Sequence, residues 1–202
     1  MQRSPLLLLA CLLCLLNTIQ AQTKIVGECT LEFSITNFVN KDTIGSKAVF
    51  VKGDQCKTIL LTAQLNQSLY FNIQQPTATI TKDIGTSHFL QVVNYPPQNQ
   101  PNLISMKETM PDSTMKIVGY NCKNVELKWS DGVIYQIWYT PEIAATVNTY
   151  ELAFKEIPGL VLAYTITPLT GSSIQYKANK IDLSPISLNQ FNINSALYQR
   201  ID

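Results

Sequence analysis

One histidine, His88, stands in the whole chain. A metal centre draws on His, Cys or carboxylate ligands clustered at short spacing, and no such cluster surrounds His88. A Cys–His nucleophile pair would have to recruit His88 and a cysteine from distant positions. No Gly-x-Ser-x-Gly elbow, phosphate loop or dinucleotide fingerprint occurs. Acidic residues are scattered along the chain, so composition leaves open a carboxylate pair of the glycosidase type. The inventory favours a protein without catalytic residues, cofactor or metal.

Sulfur offers the remaining chemistry. Cys11 and Cys14 lie in the first 21 residues; Cys29, Cys56 and Cys122 lie beyond them. In an oxidising compartment these three predict one disulfide and one buried thiol, with three pairings open. Three reduced, buried thiols are the alternative. A reactive thiol at Cys56 or Cys122 would need a lowered pKa, for which Lys57 and Lys123 are the only local cations in sequence.

The elements that must position these groups read as strands. Cys29, Leu31, Phe33 and Ile35 alternate with polar residues, the period of a half-buried strand. Ala48–Lys52, Thr58–Thr62, Leu69–Ile73, Thr77–Thr81 and His88–Val93 follow as short strands, punctuated by Asp54, Asn66-Gln67, Gln75-Pro76 and Gly85. Residues 94–115 hold four prolines and predict an irregular surface loop. Asn124–Trp129 and Val133–Tyr139 flank Asp131-Gly132, a strong hairpin signal. With Asp131 and Gly132 as the turn pair, Val125 would face Trp138, and both tryptophans would share one face. Thr140-Pro141-Glu142 reads as the start of a short helix ending near Thr149. Pro158-Gly159 predicts a type II turn. Leu160–Ile166, Ile174–Lys180 and Gln190–Ile193 complete the strand set. The expected fold is mainly β: a curved antiparallel sheet or half-open barrel with one or two short helices.

The first 21 residues have the layout of a secretory signal peptide: Arg3, the apolar run Leu6–Leu16, then a polar stretch ending in Ala21. Cleavage after Ala21 would leave residues 22–202 as a single domain in the periplasm or outside the cell. Leu8-Leu9-Ala10-Cys11 also resembles a lipoprotein box, with Cys11 as the lipidated residue, although the apolar run continues past it. No later segment is apolar and long enough to span a membrane. Arg3 is the only charged leader residue, so 14 of the 15 basic side chains remain beside 14 acidic ones. A net charge of zero favours neither nucleic acid nor an anionic membrane surface.

Glu156-Ile157-Pro158-Gly159-Leu160-Val161 resembles the signature of the GLPGLI family of exported bacterial proteins, matching at Pro158, Gly159 and Leu160. Ile117–Lys123 and Trp138–Ile143 are also similar to stretches of that family and its relatives. The resemblance implies export and a half-open barrel like that of bacterial lipoprotein carriers, and it leaves biochemistry open. On such a fold the ligand would be a lipid or other apolar molecule. It would meet the strand-borne residues Phe33, Tyr70, Phe71, Trp129, Trp138, Leu162 and Tyr164. The alternatives are an envelope protein that binds another protein through a sheet edge or the 94–115 loop, and a thiol redox protein.

Overall fold

Alternation along the chain becomes strand over most of its length. The computed structural model describes residues 23–109 and 115–201. Residues 1–21, with the expected signal peptide and Cys11, therefore lie outside the described residues. The strands are β1 (Lys24–Val26), β2 (Glu28–Asn37), β3 (Thr43–Lys52), β4 (Gln55–Thr62), β5 (Asn66–Asn72), β6 (Thr77–Ile84), β7 (Ser87–Asn94), β8 (Leu103–Glu108), β9 (Met115–Ile117), β10 (Tyr120–Trp129), β11 (Ile134–Thr140), β12 (Ile143–Ala145), β13 (Leu160–Thr167), β14 (Ile174–Asp182) and β15 (Gln199–Arg200).

One open sheet takes thirteen of them in the order β15-β7-β6-β5-β4-β3-β2-β14-β13-β11-β10-β8, with β9 paired to β10. All its neighbours are antiparallel except β15, which runs parallel to β7. Cys29, Leu31, Phe33 and Ile35 of β2 are buried on one face, as their alternation predicts. A cross-strand row of apolar partners continues the same face: Cys29 opposite Val51, Val51 opposite Cys56, Cys56 opposite Phe71, Phe71 opposite Ala78.

The sheet is strongly curved. β5 and β11 are six steps apart along it, which on a flat sheet would be about 29 Å at ~4.8 Å per step. Leu69 of β5 and Tyr135 of β11 nevertheless line the same cavity. The concave face is filled by one apolar cluster drawn from both halves of the sheet and from the segment 146–157. That segment lies over the concavity and buries Val147, Tyr150, Ala153, Phe154 and Ile157. Asn148 Nδ2 donates to the carbonyls of Phe154 (3.2 Å) and Ile157 (3.0 Å), which folds the segment on itself. Tyr150 Oη donates to Val161 O and Tyr95 Oη to Thr149 O, both at 3.0 Å, tying it to the sheet and to the end of β7.

Several sequence expectations are corrected. The 94–115 stretch contains β8, which pairs with β10. The expected helix at Thr140–Thr149 is absent. Thr140 Oγ1 does accept the Glu142 N–H at 3.2 Å, as a capping hydroxyl would. The chain stays extended because β1 lies alongside as a parallel partner of β12. Lys24 N–H donates to Glu142 O and Thr146 N–H to Val26 O, which satisfies the backbone without a helix. The short helical pieces are 3-10 turns at Leu152–Phe154, Leu188–Phe191 and Ser195–Leu197. The second of these replaces the strand expected at Gln190–Ile193. Ser187 Oγ, accepting the Asn189 N–H, starts it.

The β10–β11 hairpin has a three-residue loop. Trp129 N–H donates to Val133 O and Gly132 N–H to Trp129 O, both at 3.0 Å. Gly132 takes φ +83°, the left-handed position such a loop requires. Asn124, rather than Val125, therefore stands opposite Trp138. A one-residue change of register exchanges the two faces of a strand. Trp129 thus shares the concave face with Val125 and Leu127, while Trp138 projects from the other.

Gly159 also differs from expectation. Its φ is not positive, so Pro158-Gly159 is not a type II turn. A β-carbon at Gly159 would collide with the Thr140 carbonyl oxygen and crowd the Tyr139 ring. The glycine is needed for close backbone approach, where the chain enters β13 beside the end of β11.

Candidate functional site

The concave face carries a charged pair that its apolar surroundings would not by themselves accommodate. Lys47 lies on β3 opposite Phe33, in the same alternating row as Val49 and Val51. Only 6 % of the residue is exposed. Its ammonium is met by Glu151 of the overlying segment, in a short ion pair with Oε1. Tyr164 Oη stands 3.2 Å from Lys47 Nζ and 3.3 Å from the same carboxylate oxygen. Tyr164 stacks on Tyr176, its cross-strand partner, with ring centroids 4.4 Å apart and planes 6° from parallel. Phe33 and Phe154 meet the Tyr164 ring edge-on at 6.0 and 5.0 Å. Burial pushes the Tyr150 and Tyr164 phenols far up, with the Glu151 charge adding to it. Both remain neutral hydrogen-bond donors.

Glu151 also borders a cavity of about 320 Å³. Leu69, Tyr95, Trp129, Val133, Tyr135, Tyr150, Leu152 and Ala153 give it apolar and aromatic walls, and the exposed residues Gln100, Pro101 and Asp131 stand at its rim. The Trp129 indole N–H is buried without a hydrogen-bond partner among the described residues. Three parts of the fold converge here: the edge of the β5–β7 half, the β10–β11 hairpin and the covering segment.

The residues nominated from sequence are not gathered at one place. Trp129 lines the cavity. Phe33, Phe71, Leu162 and Tyr164 are core residues, each at most 5 % exposed. Phe71 reaches the site indirectly, packing on Tyr95 at 4.4 Å. Tyr70 points to the opposite face, beside Lys57 and the 188–193 segment, and lines a separate groove there. Trp138 likewise faces away from the concavity. Lys47, Glu151, Tyr135 and Tyr150 were not anticipated. Lys47 carried a readable signal: parity with Val49 and Val51 places it on the buried face. Val147, Tyr150, Phe154 and Ile157 also have spacings of three and four residues that mark a buried stripe.

Among the described residues the three thiols, Cys29, Cys56 and Cys122, are buried and form no disulfide. Cys29 and Cys56 flank Val51 on the same face, two strands apart. That puts their Cα atoms about 9.6 Å apart from the strand spacing, beyond the roughly 7 Å a disulfide spans. Cys122 is far along the sheet on β10, with its Sγ 3.6 Å from Tyr120 O. Burial pushes Cys29 up to about 12 and Cys122 up to about 11 from 9.0, and raises Cys56 as well. A nucleophilic thiol needs the opposite shift. Native protein at pH 8 is therefore expected to resist iodoacetamide, while unfolded protein labels at all three positions. Rapid native labelling of one thiol would revive the redox reading. The sign of the linkage follows. The folded state holds these protons more tightly, so the contribution to stability is whole below pH 9 and declines above it as pH approaches the folded values. The slope is about 1.4 kcal/mol per pH unit for each thiol. Thermal melts at pH 8 and 10.5 should show a smaller alkaline loss in Cys29→Ala than in the unmodified chain.

Among the described residues, no three His, Cys, Asp or Glu side chains come together as a metal site, and no helix is long and apolar enough to cross a membrane. No protein-family model matches the chain, and no curated protein matches it in sequence.

Proposed function

We propose that this chain is an exported, non-catalytic carrier or binding protein whose concave sheet takes an apolar or amphipathic ligand. The cavity beside Glu151 carries this reading: about 320 Å³, within the range of small-molecule sites. Its walls are mostly apolar and aromatic. The signal-peptide layout of residues 1–21 and the GLPGLI-like stretch around Pro158-Gly159-Leu160 support export from a bacterial cell. A periplasmic or secreted location follows on that reading.

Native mass spectrometry of the chain from Gln22, purified gently from an exporting bacterial host, tests it. The expected result is a stoichiometric adduct that organic solvent extracts. Leu69→Trp, which fills the cavity from the β5 wall, should lose the adduct while keeping the β-sheet circular dichroism. A clean unliganded mass for the unmodified chain, unchanged when lipid is added back, would overturn the proposal.

The second reading, an envelope protein that binds another protein, is favoured by β8. It ends the sheet path, and Ile104 and Met106 on it are 68 % and 47 % exposed. An outer strand with exposed apolar side chains can template strand addition. Crosslinked partners recovered through β8, without any co-purifying small molecule, would favour it.

A further inference from the structure

We infer that the cavity selects ligands with a cationic head, an ammonium group carried on an apolar body. The inference rests on the carrier reading and names the ligand chemistry of that same site.

Charge is the first argument. Among the described residues two charged side chains line the cavity, Asp131 and Glu151, and both are acids. The nearest buried cation, Lys47, is already engaged by Glu151 and Tyr164 and is not part of the wall. An anionic head entering here would face two carboxylates, whereas a cationic head would be attracted by both.

The second argument is the walls. Tyr95, Trp129, Tyr135 and Tyr150 supply four aromatic rings. Ring faces attract ammonium groups, and best where water is excluded. Aromatic walls beside a carboxylate match an alkylammonium, whose charge is spread over methyl or methylene groups that prefer rings to water.

The protein already demonstrates the chemistry from the other side of Glu151. The Lys47 ammonium sits 5.9, 5.8 and 5.8 Å from the ring centroids of Tyr150, Tyr164 and Tyr176, with the Glu151 carboxylate completing the cage. Glu151 spends Oε1 on that internal ammonium and on Tyr164; among the described residues nothing bonds its Oε2. Its side chain keeps 30 % exposure at the cavity border. One carboxylate therefore has an occupied side and an accessible side, and the accessible side meets aromatic walls.

The test compares amphiphiles of one chain length below their micellar concentrations: dodecyltrimethylammonium, dodecyl sulfate and the neutral dodecyl maltoside. Binding is read by tryptophan fluorescence and calorimetry on the chain from Gln22. The cationic amphiphile is expected to bind at least ten times more tightly than the anionic one. Glu151→Gln alone would strand Lys47 and could unfold the chain, so the decisive variant is the double substitution Lys47→Met with Glu151→Gln. It should fold, retain binding of the neutral amphiphile, and lose at least ten-fold in affinity for the cation. Equal binding of all three, or tighter binding of dodecyl sulfate, overturns cation selection and leaves the carrier reading standing. Cation preference unchanged in the double variant also overturns the assignment to Glu151. No binding of any amphiphile overturns both.

Discussion

Glu151→Gln should lower the unfolding free energy by about 3–5 kcal/mol, the usual cost of leaving a buried charge without its partner. Lys47 is 7 % exposed in its side chain and cannot reach water without displacing the segment above it. The reverse change is expected to be milder. Lys47→Met leaves Glu151 with the Tyr164 hydroxyl and 30 % of its side chain already exposed, a loss of about 1–2 kcal/mol. Met also keeps most of the aliphatic volume that Lys47 packs against Phe33 and Tyr164. The double variant should return to within about 1–2 kcal/mol of the unmodified chain, since Met and Gln together leave no buried charge without its partner and the amide introduced at position 151 keeps an acceptor for the Tyr164 hydroxyl. Urea unfolding of all four proteins at a common m-value gives the coupling directly. Additive losses would show that the two side chains are not coupled and that the covering segment is held by its apolar contacts and the Tyr150 and Tyr95 hydrogen bonds instead.

Gly159→Ala is expected to cost about 3 kcal/mol or more, at or above the upper range for overpacking. The new methyl would meet the Thr140 carbonyl, which is backbone within a paired strand and has no rotamer by which to move aside. Gly27→Ala is the matched control: nothing lies within 4 Å of its β-carbon position, so the change should stay within about 0.5 kcal/mol. Equal effects at the two positions would remove the close-approach account of the Pro158-Gly159 stretch.

Sequence alternation foretold most of the sheet because burial on one face imposes a period of two. Cys29–Ile35 is the clearest case, and Lys47 follows from the same parity once its row is traced. Parity does not cross a turn unless the loop length is known. Reading Ser130-Asp131-Gly132 as a two-residue turn slipped the register by one and put Trp138 on the wrong face. The Thr140-Pro141-Glu142 signal failed for a different reason. Its local chemistry is present, but the competing partner, β1, lies more than a hundred residues earlier in the chain, and local propensity carries no record of it. The same holds for the cavity. Its lining comes from β5, from the segment after β7, from the β10–β11 hairpin and from 150–153, which only the curvature of the sheet brings together.

The order of strands also has a kinetic consequence. β2 to β7 form one meander of successive neighbours, and β10, β11, β13 and β14 form another; within the large sheet the two meet where β2 pairs with β14, and the short pairings β1–β12 and β15–β7 tie their flanks. Within each meander most neighbours are hairpins that close over short loops and can form early; β11 and β13 are joined instead through residues 141–159. The joining register runs from Ile174 opposite Asn37 to Asp182 opposite Thr30, so each of its contacts must close a loop of well over a hundred residues. The entropy of closure falls chiefly on this line, the longest of the pairings that span more than a hundred residues. The two half-sheets are thus expected to be acquired quickly and separately, with their union setting the overall rate. Until it forms, the long edges of β2 and β14 stand unpaired, and they are the stretch most in need of protection from other chains.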